Sequence, residues 1–140
     1  MSVIIVSRDQ AVMEPLIDQL SRQDFKVALA ENSAAVMVMI KKGGLQFLLA
    51  EPVLLLEHGL AREVFKRYPL ARLIALDPRP TLLGLAEALT NGLTDYFPRS
   101  PEYFDEVAQL MLSERQRLRR WQSLFLSGPG LTAPDPQLSE

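Results

Sequence analysis

Hydrophobic positions change their period several times along the chain, and each change marks an element. Val3-Ile4-Ile5-Val6 is an unbroken β-branched run, the pattern of a strand buried on both faces. Val12, Met13, Leu16, Ile17 and Leu20 then recur at three-four spacing, which predicts a helix. Pro15 is expected in its first turn, where a missing N–H breaks no hydrogen bond. Phe25, Val27 and Leu29 alternate as a second strand. Asn32-Ser33 predicts the cap of a helix that runs to Lys41-Lys42 and stops at Gly43-Gly44. That helix carries Val36, Met37, Val38 and Met39 in succession, so one of them must face solvent or a partner. A third strand is expected over 45–50, a helix over 59–68 ended by Pro69, and a fourth strand over 73–76. Thr81 predicts the cap of a helix over 82–91, and a fifth strand follows over 93–97. Pro101 opens a last, long helix, in which Phe104, Val107, Met111, Leu118, Trp121 and Phe125 keep the spacing and Glu114 holds the one missing place.

Strands alternating with helices predict an α/β fold with a parallel sheet covered on both faces. Right-handed crossovers leave few topologies for five such units. The one expected is a flavodoxin-like (βα)5 three-layer sandwich, with a central parallel five-stranded sheet in the order 2-1-3-4-5 and an extended C-terminal helix. Its functional edge lies at the carboxyl ends of the strands, which points to Ser7, Arg8, Asp9, Glu51, Asp77 and Arg99.

Composition narrows the classes. A chain of 140 residues, 48% hydrophobic and 23% charged, suits one domain. With no cysteine, disulfide scaffolds and thiolate metal sites are excluded. His58, the single histidine, has no second ligand in view. No apolar run approaches the ~18 residues of a membrane span, and Met1-Ser2-Val3 lacks the basic start of a signal peptide, so a soluble cytoplasmic protein with no membrane partner is expected. A net charge of −2 argues against nucleic-acid binding by the domain itself. Arg115, Arg117, Arg119 and Arg120 read as a solvated face near a helix's carboxyl end. Residues 1–113 are expected to form the domain, 114–126 an extension of the last helix, and 127–140, with Gly128, Pro129, Gly130, Pro134 and Pro136, a linker or tail.

At the functional edge the chain resembles the receiver domain of two-component response regulators, over roughly residues 2–112. In that family the first strand ends in two acidic residues that hold magnesium, the third in an aspartate that accepts a phosphoryl group, and the fourth in a hydroxyl residue. The fifth carries a switch aromatic followed by a lysine-proline pair. By this resemblance Ser7 and Arg8 stand where the acidic pair belongs, beside Asp9. Glu51 stands at the acceptor, Asp77 at the hydroxyl, Tyr96 at the switch aromatic and Arg99 at the lysine. Gly59, eight places after Glu51, matches the glycine that opens the third helix. Ser100 replaces the proline, with Pro101 one place late. Pro52-Val53-Leu54-Leu55-Leu56 fills a loop that is polar in the family.

The resemblance therefore implies the framework without the chemistry, an atypical or pseudo-receiver with no cofactor, no metal and no enzymatic activity. Two unit charges about 4 Å apart interact by roughly 4 kcal/mol at an effective dielectric near 20, so a dication beside a guanidinium at position 8 meets about twice that in repulsion. Arg8 is expected in the metal's place, paired with Glu51, Asp77 or both, with Arg99 completing the network. Removing Arg8 alone should then cost more than removing Arg8 and Glu51 together. The competing readings are a working phosphoacceptor with an unusual site, and an enzyme or cofactor binder on the same fold. Against the latter, Ser7-Arg8-Asp9-Gln10 offers no glycine-rich phosphate nest.

Function is expected through binding. Leu118, Trp121 and Phe125 lie past the usual end of a receiver, where no sheet remains to cover them. A homodimer or a downstream output domain is the expected partner, with a sensor kinase or regulator protein also implied by the resemblance. Nucleic acid would be reached only through an output domain. In receivers the surface of the fourth helix, fifth strand and last helix commonly mediates dimer contacts, and Tyr96 belongs to it by resemblance.

Overall fold

The computed structural model of the chain describes residues 3–56 and 59–127. His58 and the tail beyond Ser127 lie outside the described residues.

Five strands, β1 (Val3–Val6), β2 (Val27–Ala30), β3 (Phe47–Ala50), β4 (Arg72–Asp77) and β5 (Asp95–Pro98), form one sheet in the order β2-β1-β3-β4-β5. All neighbours are parallel, with Val3 opposite both Val27 and Phe47, and Asp77 opposite Pro98. The helices are α1 (Gln10–Arg22), α2 (Ser33–Met39), α3 (Pro52–Leu56), α4 (Leu60–Arg67), α5 (Leu82–Thr90) and α6 (Phe104–Ser127). This is the expected three-layer α/β sandwich. No helix among the described residues is long and apolar enough to cross a membrane.

The period of two along each strand divides the core. Ile4, Val6, Leu48, Ala50, Leu73 and Ala75 point to one face, where α2, α3, α4 and α5 cover them with Val36, Leu55, Leu60, Val64 and Ala88. Val3, Ile5, Phe47, Leu49, Ile74 and Leu76 point to the other, against Met13, Leu16 and Leu20 of α1 and Phe104, Val107 and Met111 of α6. The division follows from crossover handedness: β2 and β3 flank β1 on opposite sides, so the connections from β1 to β2 and from β2 to β3 must run on opposite faces. In folds of this kind such a reversal marks the functional edge, here the carboxyl ends of β1 and β3.

Local signals mostly act as the sequence predicts. Asn32 caps α2 by accepting from Ala35 N at 2.8 Å, and Thr81 caps α5 by accepting from Gly84 N at 2.9 Å. The second helix closes as a 3-10 turn, Ile40–Lys42, before Gly43 and Gly44 at φ 87° and 82°. Val38, 62% exposed, is the residue of that apolar run that faces outward.

Three expectations change. Pro15 lies in the second turn of α1, since the helix begins at Gln10, so Ala11 O loses its helical partner. The segment 52–56 is not a loop but the one-and-a-half turns of α3, opened by Pro52 at the first helical position, where its fixed φ suits a helix start. Leu54 and Leu55 fold into the core while Val53 and Leu56 stay exposed. The last helix begins with a 3-10 turn, Pro101–Tyr103, and α6 proper starts at Phe104.

Candidate functional site

The carboxyl edge of the sheet gathers four of the predicted side chains into two pairs. Glu51 directly follows β3 and Arg99 directly follows β5, and the Arg99 guanidinium reaches across the end of β4 to form a charge-assisted hydrogen bond with Glu51 Oε1. The two side chains are 24% and 18% exposed. Arg99 is held in place from behind, because its backbone N donates to Asp77 O at 2.8 Å and so continues the β4–β5 pairing past Pro98. β5 is an edge strand, which is why a proline is tolerated there.

Asp77 forms the second pair. Its Oδ2 accepts from the Tyr96 hydroxyl at 2.5 Å, and its Oδ1 accepts from Arg79 N at 2.9 Å. The same hydroxyl accepts from Thr81 N at 3.3 Å, so Tyr96 joins the end of β4 to the first residues of α5. Gly84 leaves the space for this: a Cβ there would lie 2.9 Å from Tyr96 Oη and 3.0 Å from Thr81 Oγ1. Nothing in the local pattern announced Tyr96 and Gly84 as neighbours. A glycine within an apolar helix, disfavoured by about 1 kcal/mol against alanine, was the available signal of a close approach.

Burial and the Asp77 carboxylate beside it push the Tyr96 hydroxyl above its ordinary pKa of 10.0. An unfolded chain then releases that proton at lower pH than the folded one. The stability owed to this contact is complete below pH 10.0 and falls as pH rises through the folded value. We expect near-ultraviolet absorbance to show one tyrosine ionising late, and Tyr96→Phe to abolish that late phase and flatten the alkaline loss of stability.

Arg8 does not enter the site. It is exposed and makes no ion pair among the described residues, so the expected pairing with Glu51 or Asp77 is corrected: Arg99 takes Glu51, and Asp77 takes a hydroxyl and a backbone N–H. The reason lies in the loop after β1. Ser7, buried, turns its hydroxyl onto Asp9, donating to Asp9 O at 3.0 Å and accepting from Asp9 N at 3.1 Å. This tight turn leaves Arg8 at the apex, facing water. Ser7, Arg8 and Asp9 thus form a separate rim, while the cleft at this edge opens between α3 and α5, walled by Glu51, Pro52, Val53, Leu56, Asp77, Gly84 and Glu87.

The resemblance at this edge implies a magnesium ion, and the donors present do not fit one. Glu51 is engaged by Arg99, Asp77 by Tyr96 and Arg79 N, and Ser7 by the backbone of Asp9. Asp9 is left as a lone carboxylate beside an arginine, and no group of three or more metal-ligating side chains gathers among the described residues. A hard dication with several oxygen ligands to satisfy finds one.

Leu118, Trp121 and Phe125 lie on the far end of α6, away from this edge. The helix spans about 36 Å at 1.5 Å per residue. Phe104, Val107, Ala108 and Met111 are buried under the sheet, whereas Trp121 and Phe125 are 50% and 38% exposed. Their rings pack on each other with centroids 6.1 Å apart. Glu114, the polar interruption in the stripe, is held by Arg72 at 3.4 Å and Arg117 at 3.5 Å. Arg115 is not merely solvated: its guanidinium stacks 4.0 Å from the Phe25 ring centre and donates to Gln23 O at 2.8 Å. On α5, Leu82, Leu83 and Leu89 are all more than half exposed.

Neither models of known families nor the curated proteins give a match to this chain. Solved structures do. A response regulator from Thermotoga maritima is 16% identical, with a TM-score of 0.70, over 81% of this chain and 95% of that one. A CheY-like receiver domain protein from Methanospirillum hungatei JF-1 is 19% identical, with a TM-score of 0.67, over 83% and 96%. A further match, at 22% identity and a TM-score of 0.57 over 69% of this chain and 76% of that one, comes from a Saccharomyces cerevisiae co-crystal of the histidine phosphotransfer protein Ypd1 with the receiver domain of Ssk1. The parallel sheet in the order β2-β1-β3-β4-β5 with its covering helices agrees with these likenesses, and the chain has the fold of the response-regulator receiver domains.

Proposed function

We propose that this chain is an atypical receiver module of two-component signal transduction, one that takes no phosphoryl group and works in the cytoplasm by binding other proteins. The observation that carries this reading is the ion pair between Glu51 and Arg99. Phosphoryl transfer to a receiver needs a carboxylate nucleophile aligned with a metal ion and free to attack. Here the candidate carboxylate is one methylene longer than aspartate, already holds a guanidinium, and faces no metal-binding set among the described residues. Without a phosphoryl group, any shift between conformations must come from a partner that prefers one of them.

The binding surfaces are the exposed apolar face of α5, suited to self-association into a homodimer, and the end of α6 with Leu118, Trp121 and Phe125, suited to another protein or an output domain. Residues 1–113 act as the module and 114–126 as its protruding arm. The Ypd1–Ssk1 co-crystal supports a protein partner of the phosphorelay kind. Intact mass after incubation with acetyl phosphate and magnesium tests the reading: the mass is expected to stay unchanged, and a gain of one phosphoryl group would overturn it.

A further inference from the structure

The far end of α6 is one wall of a groove on the opposite side of the molecule from the Glu51 edge. Phe65 in the last turn of α4 and the turn Pro69-Leu70-Ala71 form the facing wall, and Leu118, Trp121 and Phe125 form the near one. Arg72, Glu114 and Arg117 close its end. The open groove has a volume of about 470 Å³, room for a row of anchoring side chains. Leu70 is 47% exposed and Trp121 50%, so the lining is apolar and aromatic but uncovered. Tryptophan, other aromatics and arginine together are the composition of binding hot spots.

Charge decides what covers it. The two acidic groups near the groove are covered and paired, Asp95 with Arg72 at 2.8 Å and Glu114 with Arg72 and, at 3.5 Å, with Arg117, whose side chain stays 56% exposed to a partner. From Arg115 to Ser127 the helix carries four arginines and no carboxylate. By three-four spacing Arg117, Arg120 and Leu124 share one edge of the apolar stripe. Two copies meeting through this surface would bring arginine against arginine, a repulsive pairing. We infer that the groove binds an acidic amphipathic helix of another protein, its apolar residues seated between Phe65, Leu70, Trp121 and Phe125 and its carboxylates facing Arg117 and Arg120. This is helix-in-groove recognition, read through anchors at i, i+3, i+4 and i+7. The inference rests on reading the protein as a binding module, and not on the state of Glu51.

Trp121 is the single tryptophan, so its emission reports the groove directly. The probe is a synthetic helix of about four turns, ~14 residues, with leucines at three-four spacing, glutamates elsewhere and no aromatic residue. Added to the full chain, it is expected to shift Trp121 emission to the blue, saturably, with affinity falling as salt rises. The same peptide with lysine for glutamate is expected to give no shift. Leu70→Asp, at an exposed position that leaves the circular dichroism unchanged, should weaken the glutamate peptide by about ten-fold or more. Arg117→Glu with Arg120→Glu should transfer the preference to the lysine peptide. An equal response to both peptides, a response to phosphatidylglycerol vesicles in place of the peptide, or a blue shift with chain concentration alone would each overturn the inference. Phosphorylation at Glu51 would instead overturn the phosphorylation-independent reading and leave the groove as argued.

Discussion

Arg99→Met is expected to destabilise the fold by about 1.5–3 kcal/mol, the range for a hydrogen bond to a charged group, while Arg8→Ala changes stability by no more than about 0.5 kcal/mol. The contrast follows from where the two guanidiniums lie. Arg8 sits in water at the apex of the Ser7–Asp9 turn, and its loss removes nothing but an exposed charge. Arg99 is mostly covered and holds Glu51. Its loss strands a carboxylate that has no other ion pair among the described residues. The pair itself contributes less than this cost suggests, because desolvation offsets most of the attraction. Arg99→Met combined with Glu51→Gln should therefore be milder than Arg99→Met alone. Urea unfolding of the four chains measures the cycle, and equal losses for the single and double variants would show that the two groups do not act as a pair.

Phe47→Ala is expected to cost about 3–5 kcal/mol, a large share of the roughly 7–21 kcal/mol that a domain of this size commands. Phe47 is fully buried in β3. Its ring meets Phe25 edge to face, with centroids 5.9 Å apart and planes at 85°. Phe25 in turn carries the Arg115 guanidinium on its other contact. The three residues form a column from the middle of the sheet to the point where α6 leaves it, so the substitution removes core packing and also loosens the root of the projecting helix. Beyond the loss in thermal midpoint, limited proteolysis should cut within 115–127 sooner in the variant than in the natural chain. A variant with unchanged stability would contradict the placement of Phe47 in the core.

The sheet was legible because strands buried on both faces must be apolar throughout, and Val3–Val6, Phe47–Ala50 and Leu73–Leu76 are the runs that meet that demand. Edges were harder. Phe25 alternates with Val27 and Leu29 as though all belong to one strand, yet Phe25 lies before β2 and fills the core, while Leu29 is 41% exposed on an edge strand. Leu93 likewise packs inward before β5 begins. The site was legible in its membership but not in its pairing. Strand order brings positions 8, 51, 77 and 99 to one edge, but which cation turns inward depends on loop geometry. A serine that folds onto its own loop sends Arg8 out, and a backbone bond to Asp77 brings Arg99 in. The α6 groove was half visible. Trp121 and Phe125 announce an uncovered stripe, whereas Phe65 and Leu70 come from some fifty residues earlier in the chain, a separation that periodicity cannot bridge.

One crystal bears directly on whether the Glu51 edge is chemically closed. Crystals of the chain soaked in magnesium and beryllium fluoride are expected to show Arg99 on the Glu51 carboxylate and no octahedral ion beside it. Beryllium fluoride bonded to Glu51, with a metal ion held between that group and Asp9 and Arg99 displaced, would contradict it.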